Sequence, residues 1–212
     1  VTGVQTCALP IYLTYYLIPA FIMQKFWILP SAVTTTAFPM VTELAASGEE
    51  ETLRKLYRQC GQLVLWAVGP AFVFLVLFAP QFLTLWLGSE FSDRGVWPLR
   101  LLTLGYAFHL LAMMPSTAAY GVGRPRVSMA WHGAQAVICL VLWVVLVPRY
   151  GIVGAAAGFA ASQGLTGLPF GLYISRRLFG MGAWDFVSQV ALRPGLAAAV
   201  LFAALWPLRE HV

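Results

Sequence analysis

Val127–Val147 reads VSMAWHGAQAVICLVLWVVLV, twenty-one residues without one Asp, Glu, Lys or Arg. A bilayer hydrocarbon core about 30 Å thick is crossed by about 20 apolar helical residues, so this run is long enough to span it. Pro148-Arg149-Tyr150-Gly151 then turns the chain. Ile152–Ile174 (IVGAAAGFAASQGLTGLPFGLYI) is again uncharged and again long enough. Two such runs on either side of a Pro/Gly turn are predicted to be successive membrane spans.

The same reading extends outward. Further apolar runs cover Tyr12–Val41, Cys60–Ala79, Trp97–Tyr120 and Pro194–Pro207. With the first two they predict an all-α polytopic transmembrane bundle of about six spans. Composition agrees: 60% of the 212 residues are hydrophobic and 10% charged, against about 25% charged in soluble domains. A single soluble core could not be wrapped by so few polar residues. The net charge of +5 does not indicate nucleic acid, because the basic residues sit in short clusters between spans and form no aromatic-interleaved stripe.

The clusters give an orientation. Arg54, Lys55, Arg58, Arg124, Arg126, Arg176, Arg177 and Arg193 fall in one set of alternating loops. Arg94, Arg100, Arg149 and Arg209 fall in the other. The richer set is read as cytoplasmic. Within it, Thr42–Gln59 is predicted to hold a short amphipathic helix at the interface. Acids at Glu49–Glu51 mark its start, and Leu53, Leu56 and Tyr57 share one face. Pro80–Gly88 is apolar but short, and Ser89–Gly95 reads as an acidic-leaning loop.

No nucleophile–base constellation, Walker loop, HExxH or paired intramembrane carboxylates occur. Cys7, Cys60 and Cys139 show no CxxC or Cys/His metal spacing. An enzyme, a bound metal and a cofactor are not expected. The polar residues inside spans are the candidates for function. Lys25 lies about 20 Å along its helix from Tyr12 at 1.5 Å per residue. A charge at that depth costs about 3 kcal/mol even on the mild insertion scale. Two readings fit: Lys25 faces a watery substrate path, or it snorkels or pairs with an acid elsewhere. Gln24 is its neighbour on a different face. Arg100, at the entrance to the third span, is read as an interfacial anchor or a cavity residue, and His109 follows deeper on the same helix. Gln135 and Gln163 are read as interhelical hydrogen-bonding groups. In the fifth span Gly154/Gly158 and Gly167/Gly171, each four apart and set among alanines, are read as close helix packing inside the bundle rather than a dimer face.

Val1–Ile11 (VTGVQTCALPI) resembles, residue for residue, the translation of a common sequencing adapter. It is set aside from the fold, with the expectation that the native chain begins upstream of Tyr12.

Three stretches resemble the oligosaccharide flippase family of the multidrug/oligosaccharidyl-lipid/polysaccharide exporter superfamily. The first is Leu29–Glu43 (LPSAVTTTAFPMVTE) with Ala46–Arg58 (ASGEEETLRKLYR). The second is Phe82–Gly88 (FLTLWLG) with Leu99–Gly105 (LRLLTLG). The third is Gly121–Pro125 (GVGRP) with Val147–Ala157 (VPRYGIVGAAA). Their order and spacing carry the resemblance, across Tyr12–Leu178. It implies two helical bundles of about twelve to fourteen spans in all around a central cavity, working by alternating access. This chain would be most of the second bundle, with the N-terminal bundle as its missing partner. The implied substrate is a lipid-linked oligosaccharide, an undecaprenyl-diphosphate glycan of the bacterial inner membrane, with Lys25 on a cavity-lining helix. The alternatives are a lipid II flippase or a drug/cation antiporter of the same superfamily, and a non-transport scaffold. An antiporter would be favoured by an acid inside a span, and this chain has none.

Overall fold

The computed structural model describes residues 2–182, Asp185, Ser188 and 192–207, with side chains from Tyr12 onward. All its regular elements are helices: α1 (Thr2–Phe26), α2 (Ile28–Ser47), α3 (Glu50–Leu77), α4 (Ala79–Leu87), α5 (Ser89–Gly121), α6 (Pro125–Phe179) and α7 (Arg193–Leu205). Four stretches are long and apolar enough to cross a membrane: Tyr12–Ser47, Glu50–Leu77, Ser89–Gly121 and Pro125–Phe179. The chain is an all-α, multi-pass membrane protein.

The 55-residue α6 is two antiparallel arms, 125–150 and 152–179. Gly151 between them has φ 57° and ψ −133°, a backbone region essentially reserved for glycine. The arms then lie close together. The Trp143 indole Nε1 donates to the Ala155 carbonyl at 2.9 Å. A Cβ on Gly158 would meet the Trp143 ring at 2.7 Å. The small residues of the second arm thus serve packing within the bundle. Gly167 continues this against α5, where an added Cβ would lie 3.0 Å from the Phe108 carbonyl oxygen.

α5 is the hub and touches α1, α2, α3, α4 and α6. Lipid tails are as apolar as leucine, so burial drives little helix association there, and close packing with hydrogen bonds must hold the bundle. Gly105 lets α5 approach α6 within van der Waals contact of Phe159 and Ala160, and Gly121 lets its end approach Val41 of α2. One buried cluster (Met23, Val68, Phe72, Leu83, Leu99, Leu102) fills the middle of α1, α3, α4 and α5. A second (Val41, Leu53, Tyr57, Met114, Phe179) closes one end. At that end Arg54 donates to the Phe179 carbonyl, a cation on a helix C-terminus as the macrodipole favours. Tyr57 Oη lies 3.1 Å from Ser175 Oγ.

The basic residues sort by end. Arg54, Lys55, Arg58, Arg124, Arg126, Arg176, Arg177 and Arg193 gather where α3, α6 and α7 start and where α5 and α6 end. By the positive-inside rule that end is cytoplasmic. At the other end the Arg94 guanidinium carbon lies 5.0 Å from the Tyr12 ring centre and 5.6 Å from that of Tyr15.

Several extents differ from the sequence reading. The helix that carries the first span does not stop at Val41 but continues as α2 to Ser47. The amphipathic segment is not a separate interfacial helix. It is the first turns of α3, continuous with the span read as Cys60–Ala79, because Leu53 and Tyr57 of those turns are buried in the bundle. Ser89–Gly95 is helix rather than loop, so α5 begins eight residues before Trp97. Its early charged turn forms because Ser92 and Gly95 pack inward while Glu90, Asp93 and Arg94 stay outside. Pro80–Gly88 forms α4, and the run Pro194–Pro207 read as a last span falls on the 13-residue α7, shorter than a bilayer crossing. Most of Met181–Leu192 lies outside the described residues.

Candidate functional site

The 36-residue stretch Tyr12–Ser47 is not one helix. Its hydrogen-bond ladder is interrupted at Trp27 between α1 and α2, although Trp27 itself keeps helical angles (φ −68°, ψ −22°), so the two are joined by a kink. Pro30 is the cause. It has no N–H to give the Phe26 carbonyl, and its ring crowds that carbonyl. The break lies about 22 Å along α1 from Tyr12, well inside the membrane.

Lys25 and Gln24 occupy the last turn of α1, immediately before the break. Both are exposed and point away from the bundle. Neither side chain has a hydrogen bond or ion pair among the described residues. Exposed Thr35, Thr36, Thr42 and Glu43 follow on α2. The hydroxyls are satisfied within the helix: Thr35 donates to Ser31 at 2.7 Å, Thr36 to Ala32 at 2.9 Å and Thr42 to Phe38 at 3.0 Å. That leaves the Lys25 ammonium and the Gln24 amide as the mid-membrane polar groups on this surface that lack an internal partner. The first arm of α6 is the contrast. Its exposed residues include Val137, Leu140, Val141, Val144 and Val145, a surface suited to lipid.

His109 is not on the Lys25 surface. It is half-buried beneath the break, its ring 4.7 Å from the Trp27 ring at 36°, and its Nδ1 lies 3.2 Å from Gln163 Oε1. Gln163 is buried, so a chain of contacts from α6 through α5 supports the broken turn. Arg100 sits apart from both. Its Nε donates to the Val76 carbonyl at 2.9 Å, in the last turn of α3, and its guanidinium carbon is 5.7 Å from the Trp97 ring centre. Arg100 and His109 are nine residues apart, half a rotation out of phase on a helix of 3.6 residues per turn, so they face different neighbours. The structure groups Lys25 with Gln24, and His109 with Trp27 and Gln163, and holds Arg100 at the opposite interface. Trp27 was not singled out in the sequence. Its signal was Pro30 three residues on, which fixes where the helix must break. Among the described residues no group of His, Cys, Asp or Glu could hold a metal.

The fold and this surface define a multi-pass membrane protein whose kinked first stretch exposes Lys25 and Gln24 among apolar Phe21, Ile28 and Leu29. The chain is 26% identical over 146 residues to a "Putative O-antigen transporter" of Shigella flexneri, covering 69% of this chain and 34% of that one. It is 24% identical over 144 residues to a "Probable low-salt glycan biosynthesis flippase Agl15" of Haloferax volcanii, covering 68% and 30%. No family model and no solved structure matches. The chain is thus similar, at low identity, to a putative O-antigen transporter and a probable glycan biosynthesis flippase, and it spans about a third of the length of these curated relatives.

Proposed function

We propose that this chain is part of a transporter, not an enzyme, that flips a lipid-linked oligosaccharide across the bacterial inner membrane for surface polysaccharide synthesis. Alternating access of two helical bundles moves the headgroup, while the lipid tail stays in the bilayer. The supporting observation is the Lys25–Gln24 surface. An ammonium held at mid-membrane, exposed and without an internal partner, suits a water-filled path lined by a second bundle. The kink at Pro30 leaves the Phe26 carbonyl without the donor that an ordinary residue would supply, one residue from Lys25. Lys25 then meets the anionic diphosphate and Gln24 the neutral sugar. His109, held by Gln163, positions the break by packing under Trp27. The similarity to a putative O-antigen transporter and a probable glycan biosynthesis flippase supports a glycan as the cargo.

The test is genetic and chemical together. Deleting the full-length gene should abolish surface polysaccharide and leave lipid-linked repeat units on the cytoplasmic side. Wild type should restore polymer, and Lys25→Ala at equal protein level should not. Unchanged glycans and intermediates on deletion would overturn the reading.

A further inference from the structure

Two cavities lie end to end along α3 and α7. The first, about 240 Å³, is polar and sits at the basic end. Lys55, Arg58, Gln59 and Gln62 of α3 line it, with Ser188 and Arg193 across from them. Among the described residues no carboxylate lines it. The second, about 330 Å³, starts at Leu65, one turn past Gln62 on α3, and at Pro194, next to Arg193 on α7, and is almost wholly apolar. Gly69 and Val76 of α3 and Ala198 and Phe202 of α7 line it, and α5 lines it too, through Thr103 and Ala107 among others. Gly69 and Ala198 contribute its width, since an added Cβ on Gly69 would meet no atom within 4 Å.

The dimensions and charges match one kind of molecule. From Leu65 to Val76 the groove runs about 16 Å along α3, close to one leaflet of a hydrocarbon core about 30 Å thick. Its mouth opens into three cations and three neutral hydrogen-bonding side chains at the end that the positive-inside rule makes cytoplasmic. We infer that α3 and α7 form a binding site for one anionic phospholipid of the cytoplasmic leaflet, its phosphate among Lys55, Arg58 and Arg193 and one acyl chain in the groove. Charge complementarity selects this occupant over a zwitterionic lipid, because basic pockets between helices on that side attract anionic headgroups. The site lies away from the Lys25 surface and does not rest on the transport reading, so its failure leaves that reading intact.

The experiment is native mass spectrometry of the full-length protein in mild detergent, delipidated and then given phosphatidylglycerol, phosphatidylcholine, undecaprenyl phosphate or inorganic phosphate. Phosphatidylglycerol should bind one to one and more tightly than phosphatidylcholine. Lys55→Gln/Arg193→Gln, both exposed positions, should weaken phosphatidylglycerol by about thirtyfold and phosphatidylcholine, whose phosphate is neutralised by its own ammonium, much less. Ala198→Leu, which fills the groove, should weaken both lipids. Equal binding of the two phospholipids, or a phosphatidylglycerol affinity indifferent to both variants, would overturn the site. Full competition by inorganic phosphate would reduce it to a phosphate site and overturn the acyl groove. Preferential displacement by undecaprenyl phosphate would overturn the phospholipid as occupant.

Discussion

Replacing Gly154 by alanine tests the hairpin at its tightest point. A Cβ there would lie 2.3 Å from the Leu146 carbonyl oxygen and 2.6 Å from its carbon. Ordinary carbon–oxygen approaches are about 3.3 Å or more, so the two arms of α6 must part by about 1 Å. The obstacle is backbone, which cannot rotate aside as a side chain can. Overpacking of this kind costs about 1–3 kcal/mol, while alanine in place of helical glycine returns up to about 1 kcal/mol. The Trp143–Ala155 hydrogen bond at 2.9 Å is one residue away and is stretched by the same movement. The net expectation is a loss of about 1–2 kcal/mol, or about 3–6 °C in Tm at this chain size. Thermal unfolding of the purified protein in detergent, followed by tryptophan fluorescence, reads this out. Gly133→Ala is the control. It lies in the first arm with no atom within 4 Å of its would-be Cβ, and should hold or raise Tm. A Gly154→Ala protein that melts at or above wild type, or a Gly133→Ala protein that falls as far, would refute the packing argument.

Other perturbations address the remaining joints. Gly151→Ala should destabilise by about 1–3 kcal/mol in the same melt, because φ 57° with ψ −133° is closed to residues with a Cβ. Tyr57→Phe removes the contact with Ser175 at 3.1 Å and should cost about 1 kcal/mol, with no change in expression. Gln163→Leu leaves His109 without its 3.2 Å partner. In the full-length protein it should lower polysaccharide output severalfold while Tm falls by only a few degrees, whereas a purely structural Gln163 would move both in proportion.

Much of this architecture was legible because lipid imposes a simple rule: an uncharged run of bilayer length becomes a span. Pro148–Gly151 marked the α6 reversal, and the Gly154/Gly158 spacing foretold close packing. Extents were less legible where a helix leaves the bilayer. Glu90, Asp93 and Arg94 read as loop, yet α5 continues through them by packing Ser92 and Gly95 inward. Likewise Glu50–Arg58 changes hydropathy without changing backbone, so α3 looked like two elements. Lys25 stood out by its cost alone. The support beneath it did not, because Trp27, His109 and Gln163 meet only when α1, α5 and α6 are brought together, and no local spacing encodes that. Arg100 is held by the end of α3, a contact equally invisible in its own helix.

The central claim is that Lys25 faces water at mid-membrane. In the full-length protein with Cys60 and Cys139 replaced by alanine, and Cys7 too if it is present in the native chain, Lys25→Cys can be exposed in intact membranes to a charged, membrane-impermeant thiol reagent. Val144→Cys, 75% exposed on the apolar arm of α6, serves as the lipid-facing reference. Lys25→Cys should be modified and Val144→Cys spared. A Lys25→Cys as unreactive as Val144→Cys would mean that this surface faces lipid or protein, and the translocation path would have to lie elsewhere.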